Sequence, residues 1–434
     1  MLKLDESNSL KEKSKKLYPS LTGTFSRAAT SFVEGQYPVY AERAKGSKFW
    51  DVDGNKFLDY LCGLGPITLG YSYDRVDNAA IEQLNKGVLF SLPHPIELEL
   101  AETLIQTIPH AEMVKFEKSG SNAVTAAVRA ARALSGNEII AYCGSGGVWH
   151  DWQAAMVSRD GGVPSFNREL IKIFEYNDLN GLNKIFDQNK GKIACIVLEP
   201  VVFTEPNKIF LQQVRKIANE NNAVLIFDEV VTGFRFDLAG AQKFFDVKAD
   251  IVCFGKGMGN GFPISALTGP TEFMNIFDTL WVSSSNNMET VSMAASNATI
   301  QEMTEKKSIE KCWEIGTQLK EGWNKISQEN GLDVNLVGYP IRMNLVCKDS
   351  TGMESIELKS LISQEMVQKG IFLAPLNPVY VSYSHTENDI NHTLDTYSEI
   401  CLRLKKQIIQ NDFKHLIHGK LPKTVWTMKI PPIK

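Results

Sequence analysis

Residues 223–235, AVLIFDEVVTGFR, open with a short apolar run that ends in two consecutive acids. A run this short and this apolar is what a strand buried on both faces looks like, because helices packed on either side of a parallel sheet leave no face for polar residues. Side chains alternate along a strand, so Asp228 and Glu229 point to opposite sides and only one of them need face a ligand. Comparable runs at Ile139–Tyr142, Ile193–Leu198 and Asp250–Phe254 are separated by longer segments with helical spacing. This alternation predicts an α/β fold on a mostly parallel sheet. Residues 121–135 place Ala123, Val124, Ala127, Val128, Ala131 and Leu134 on one helical stripe and end at Gly136, which predicts an amphipathic helix.

The flanks read differently. In FWDVDGNKFLDYLCG, two apolar runs surround Asp53-Gly54-Asn55, the chemistry of a tight hairpin turn. Beyond about residue 310, the helical stretches IELKSLISQEMVQKG and NDINHTLDTYSEICLRLKKQII bracket the apolar segment IFLAPLNPVYVSYSH, and Thr386 with Asp389 forms a capping-box start for the last helix. The expected organisation is a segment 1–70 that carries the hairpin and joins a small domain, a large α/β domain over 71–310, and a smaller α+β domain over 311–434.

Lys plus Arg number 46 against 50 Asp plus Glu, a net charge of −4, so there is no basic surplus to neutralise a run of phosphates and nucleic acid is not an expected partner. The first twenty residues are polar and charged where a signal peptide needs an apolar stretch, and no apolar run reaches membrane-spanning length. Seven scattered cysteines form no CxxC pair. A cytoplasmic protein with free thiols, no membrane partner and no cysteine metal site is expected. The histidines form no HExxH, and no serine sits in GxSxG.

In an open α/β sheet ligands bind beyond the carboxyl ends of strands, which is where Asp228 falls. Taken alone, Asp228 reads equally well as a cap for the next turn. Residues 250–269, DIVCFGKGMGNGFPISALTG, run another apolar strand into Lys256, held between glycines that leave room for a bulky planar partner. A single lysine there is by default a solvated loop residue; the pairing with Asp228 shifts the balance. An amine and a carboxylate at neighbouring strand ends suit pyridoxal 5′-phosphate, where the amine holds the aldehyde as a Schiff base and the acid keeps the pyridine nitrogen protonated. In KSGSNAVTAAVR, Gly120 and Ser121 offer backbone N–H groups and a hydroxyl for a phosphate at the helix start, and Ser119 or Ser121 also serves as a simple N-cap.

The segments VLEPVV, LIFDEVVTGFR, FGKGMGNGFPISALTG and SGSNAVTAAVRAAR together resemble the class III pyridoxal-phosphate-dependent aminotransferases, and within them the glutamate-1-semialdehyde 2,1-aminomutase-like branch. The likeness extends through ERAKGSKFWDVDGNKFLDY, ELELAETLIQTIP and PLNPVYVSYSHTENDI, in the family's order. It implies the fold-type I transferase architecture, with a large domain on a mostly parallel seven-stranded sheet and a smaller α+β domain. By resemblance, Lys256 is the Schiff-base lysine, Asp228 the acid on the ring nitrogen and Val230 the residue packing one ring face; Gly120 and Ser121 form the phosphate turn, and Glu199 of VLEPVV belongs to the cofactor site. Ser285 matches a hydroxyl that reaches the partner subunit's cofactor phosphate, so a homodimer with interfacial sites is implied. Ser26 and Arg27 lie near the serine and arginine that hold a substrate carboxylate in the aminomutase, with a small length difference before Pro38, and Thr204, near an asparagine of the aminomutase's EPVxGN segment, is a further substrate candidate.

Departures from the pattern concern the pocket. Relatives carry Tyr-His-Gly, whose tyrosine stacks on the ring, where this chain has Ser145, Gly146 and Gly147. The following Trp149, His150, Asp151 and Trp152 match a WHDW run of one subgroup, so either Trp149 backfills the ring face or the cofactor is less tightly clamped, and ordinary core packing is an equal reading for both tryptophans. A lost stacking contact is worth about 1 kcal/mol, too little to abolish binding through a Schiff base and a phosphate cradle. Asn122 stands where an acid is common. The expected activity is therefore ping-pong transfer of an amino group from a small-molecule donor to a keto-acid or oxidised-sugar carbonyl. The alternatives are the intramolecular aminomutase reaction, which shares every catalytic residue, and a non-catalytic binding or assembly protein on the same fold.

Overall fold

The computed structural model describes residues 2–144, 151–207, 209–425 and 427–429. They form two compact units, one running from residue 2 to 73 and from 310 to 425, the other from 74 to 309 together with 427–429. Residues 427–429, expected in the C-terminal domain, go with the larger unit. Ser158 N donates to Thr427 O at 2.9 Å and Val157 bridges Met428, so backbone pairing holds this segment there.

Among the described residues the large unit carries one sheet of seven strands. They are β1 (Met113–Glu117), β2 (Ile139–Cys143), β3 (Ile171–Phe174), β4 (Ile193–Leu198), β5 (Val224–Asp228), β6 (Ile251–Phe254) and β7 (Ser265–Gly269), in the order β1-β7-β6-β5-β4-β2-β3. All neighbours are parallel except β7, which runs antiparallel to both β1 and β6. Every residue of β4, β5, β6 and β7 is buried, as a sheet covered on both faces requires. The helix Gly120–Ser135 packs on this sheet, starts at the N-cap Ser119 and ends at Gly136 with φ +68°. Its burial is wider than the stripe read from sequence. Ala126 and Ala130 are also buried, whereas Leu134 in the last turn is 37% exposed, so the contact with the sheet rests on small side chains.

The small unit pairs the hairpin strands Lys48–Asp51 and Lys56–Asp59 with Ala41–Lys45 on one side and, in parallel, Ile371–Phe372 on the other. Asp51 stabilises the hairpin turn by accepting from Asp53 N and Asn55 N. A second hairpin, Val334–Tyr339 with Arg342–Cys347, and the helices Ser308–Glu329, Ile356–Gln368 and Glu387–Ile409 complete the unit. Its core includes Trp323 stacked on Tyr397 with ring centroids 3.5 Å apart.

Candidate active site

Three loops leave the carboxyl side of the large sheet, and close packing joins them. Gly120 opens the helix that follows β1; a methyl group there would lie 2.5 Å from both Val230 side-chain methyls, so only glycine permits the approach. Gly255, just past β6, faces the same two residues: an added Cβ would lie 3.6 Å from Val230 Cγ1 and 3.7 Å from Gly120 N. The turn expected to hold a phosphate, the residue expected on a ring face and the backbone next to Lys256 are thus mutual neighbours.

Asp228 ends β5 and pairs in register with Cys253 of β6, three positions before Lys256. Asp228 is 8% exposed, and its Oδ1 accepts from Val230 N at 3.1 Å. Its charge reaches two buried neighbours. Burial pushes the Tyr142 hydroxyl up, and the Asp228 and Glu199 carboxylates push it further; burial and Asp228 do the same to the Cys253 thiol. Glu199, 5% exposed, follows β4, the strand beside β5. Asp228, Glu199 and Tyr142 therefore share one electrostatic neighbourhood at adjacent strand ends. Tyr142 was not a sequence candidate, and its place as the penultimate residue of a parallel strand is the signal that would have pointed to it.

Lys256 is half-buried, begins the short turn Lys256–Gly259 and holds φ at +40°, a left-handed conformation rarely adopted by residues with side chains. Beside Gly255, the Ser265 hydroxyl is wholly buried with no hydrogen-bond partner among the described residues.

Glu229 turns away from Asp228, as strand alternation requires. Its carboxylate accepts from Thr232 Oγ1 at 2.6 Å and from Ala241 N and Gln242 N at 2.7 Å each. Gly240, at φ +85°, leaves room for it; a Cβ there would sit 2.4 Å from Glu229 Oε2. Full burial outweighs these donors and, with Asp228 adding, pushes the Glu229 carboxyl up to about 7. Glu229 thereby ties the chain after Asp228 to the segment near residue 241.

The other candidates fall elsewhere. Ser121 is half-buried in the first turn of its helix. Ser285 is exposed on the loop before the helix Thr290–Lys306, and Thr204 is exposed on the loop after β4. Ser26 and Arg27 belong to the small unit, where Arg27 Nη2 donates to Gly63 O at 2.8 Å. Ser145, Gly146, Gly147 and Trp149, with His150, lie outside the described residues. Trp152 is a core residue, edge-on to Tyr142 with centroids 6.0 Å apart. The seven cysteines form no disulfide, and among the described residues no helix is long and apolar enough to cross a membrane.

Residues 30–396 match the family model described as aminotransferase class-III. The chain is 35% identical to the 3-aminobutyryl-CoA aminotransferase of Cloacimonas acidaminovorans, across 94% of this chain and 99% of that protein. It is 32% identical to the glutamate-1-semialdehyde 2,1-aminomutase of Acetivibrio thermocellus, across 91% and 97%. Among solved structures, the Sphingopyxis sp. MTA144 FumI protein in its PLP internal aldimine form superposes with a TM-score of 0.86 at 25% identity, covering 92% of this chain and 97% of that one. The chain is an enzyme that belongs to the class-III aminotransferase family.

Proposed function

We propose that this enzyme uses pyridoxal 5′-phosphate to move an amino group from a small-molecule donor to a keto-acid or oxidised-sugar carbonyl, with donor and acceptor binding alternately in a ping-pong sequence. The observation that carries the reading is the apposition of Gly120, Val230 and Gly255, with Val230 N tied to Asp228 and Gly255 directly preceding Lys256. These residues fit the cofactor: a helix start for a phosphate, apolar methyls for a ring face, a buried acid and a half-buried amine at neighbouring strand ends, and an unpartnered buried Ser265 hydroxyl beside them.

When bound, the cofactor supplies an aldehyde that links to amines and a protonated ring that withdraws electrons from the linked carbon. Lys256 Nζ would be the covalent anchor and, when free, would hold and move the proton at the donor carbon, first as base and then as acid. Asp228, fixed by the Val230 N–H, keeps the ring nitrogen protonated. Gly120 N–H and Ser121 hold the phosphate at the positive end of a sixteen-residue helix. Val230 would pack one ring face, and Glu199 would belong to the same cofactor site.

The same reading makes the enzyme a cytoplasmic homodimer in which Ser285 serves the phosphate of the partner subunit. Exposed Leu92 (75%) and Leu98 (64%), next to half-exposed Leu89 and Phe90, support a covered face on the large unit. Ser26, Arg27 and Thr204 are assigned to substrate.

The test is colour and its bleaching. The purified protein should absorb visible light, lose that absorbance with an amino donor while releasing the matching keto acid, and recover it with a carbonyl acceptor. Borohydride trapping should label Lys256, and Lys256→Ala should abolish the label; a colourless protein that takes up no added cofactor overturns the reading. The aminomutase relatives at 32% identity favour one alternative, the intramolecular amine shift. Conversion of glutamate-1-semialdehyde to 5-aminolevulinate without added donor would establish it in place of intermolecular transfer.

A further inference from the structure

The strand end that precedes the phosphate turn grips a second loop. Glu117, the last residue of β1, is 5% exposed, and its Oε2 accepts from Asn287 Nδ2 at 3.0 Å. Asn287 in turn accepts from Ser284 Oγ at 2.5 Å. The next residue, Lys118, places Nζ 3.0 Å from Glu289 Oε2, with both side chains mostly buried. Glu289 caps the Thr290–Lys306 helix, accepting from Val291 N at 2.6 Å and Ser292 Oγ at 2.5 Å. On its far side, Thr290 N donates to Val88 O at 2.9 Å, so the loop is held at its end as well. Glu117 at the end of β1 and Lys118 just past it thus hold Asn287 and Glu289, two and four residues after Ser285, while Asn287 also takes the hydroxyl of Ser284 just before it; the next residue, Ser119, caps the helix that starts with Gly120. Charge-assisted contacts between groups this secluded fix geometry more firmly than exposed pairs do.

We propose that Glu117 and Lys118 are positioning residues that set the Ser285 hydroxyl, so that the strand end ordering one subunit's phosphate turn also orders the phosphate contact made in the partner subunit. The proposal rests on the reading of Ser285 as a phosphate ligand across a homodimer. It gives each subunit a rigid link between its own site and the loop it lends.

The experiment is a double-substitution cycle on the rate at which the holoenzyme releases pyridoxal phosphate on dilution, followed by its visible absorbance. Ser285→Ala should speed release, and Lys118→Met should speed it about tenfold in the natural background. In the Ser285→Ala background Lys118→Met should add less than about twofold, because the hydroxyl it positions is gone. Asn287→Ala, which frees the loop from Glu117 without touching the phosphate turn, should behave the same way. If Lys118→Met alone leaves release unchanged, or if its effect multiplies in full with that of Ser285→Ala, the positioning role is overturned while the Ser285 assignment stands. If Ser285→Ala does not alter release, that assignment fails and takes the proposal with it.

Discussion

The large and small units close their chains over different distances, and the chemistry follows that difference. In the large unit, Asp228 and Lys256 stand at the ends of β5 and β6, neighbours in both sequence and sheet, with Glu199 after the adjoining β4. In the small unit, Tyr37 Oη donates to Leu373 O across 336 residues of chain, and Lys56–Asp59 pairs with Ile371–Phe372. A parallel sheet built strand by strand delivers polar residues to one edge as a by-product of its topology. A sheet completed by the far end of the chain delivers closure, at a loop entropy that must be recovered by packing. The comparison holds that residues of the large unit govern cofactor and turnover, whereas these small-unit contacts govern stability.

The largest effects test the first half of that statement. Lys256→Ala should lower kcat by at least about a thousandfold, since it removes the proposed anchor and proton carrier. Asp228→Asn should lower it by about a hundredfold by withdrawing the charge proposed to hold the ring nitrogen protonated. Both should leave the melting temperature of the cofactor-free protein within a few degrees; a collapse of the fold would mean that these groups are structural.

The units should also respond to pH with opposite signs. Glu229, fully buried in the large unit, has its carboxyl pushed up to about 7. The folded state therefore binds the proton more tightly than the unfolded one, and this contribution is complete below the ordinary carboxyl range and lost as pH rises through 7. His385, wholly buried in the small unit, is pushed down to about 4 by burial, against the nearby Asp389 carboxylate. Its Nδ1 accepts from Ser382 N at 3.0 Å, which holds the neutral ring. That contribution is present above the usual histidine range and lost as pH falls from about 6.5 toward 4. Each spans about 3 kcal/mol. Melting curves should show Glu229→Gln flattening the alkaline fall and His385→Asn the acid one; a single substitution that flattens both limbs would contradict the division.

What could be read from the sequence follows the same line. The four apolar runs of the parallel sheet, Asp228 and Lys256 were visible because burial on both faces and position at a strand end leave a local mark. β1, β3 and β7 were not singled out: MVKFE carries Lys115 at its centre, IKIF spans four residues, and SALTG has a single β-branched residue. The hairpin Val334–Cys347 was missed for a related reason, since its turn carries Pro340 rather than an Asn-Gly pair. The Glu229 cradle and the Lys118–Glu289 pair join residues distant in sequence, and no spacing rule announces them. Leu134 fitted the helical stripe but lies outside the cover of the sheet, where periodicity cannot distinguish a helix's last turn from its middle.

Two glycines sharpen the contrast at smaller scale. A methyl at Gly120 would press on Val230, and one at Gly316 would come within 2.2 Å of the Pro340 backbone oxygen in the small unit. Backbone yields less readily than a side chain, so Gly316→Ala should cost about 2 kcal/mol of stability and leave cofactor release unchanged. Gly120→Ala should instead displace Val230 from the cofactor site and speed release. The comparison breaks if Gly316→Ala loosens the cofactor or Gly120→Ala changes only the melting temperature.

The smallest effect belongs to the capping box of the helix Glu387–Ile409. Thr386 Oγ1 accepts from Asp389 N at 3.2 Å, and Asp389 Oδ2 accepts from Thr386 N at 3.0 Å. Asp389 also takes Lys48 Nζ at 2.7 Å and Ser47 Oγ at 3.1 Å, fastening the helix start to the hairpin. Burial pushes the Asp389 carboxyl up, yet Lys48 and the Thr386 N–H outweigh it, and the net direction is down. Removing Thr386 Oγ1 therefore leaves the carboxylate with its cation and its backbone donor. The N–H of Asp389 loses its acceptor and the carboxylate loses the Thr386 hydroxyl that donates to Oδ2 at 2.9 Å, together a loss of about 1 kcal/mol. In a chain of this size Thr386→Ala should lower the melting temperature by no more than about 2–4 °C. Because the lost bonds lie wholly within the small unit, kcat and cofactor release should be those of the natural enzyme, and a change in either would show that this helix start reports to the site.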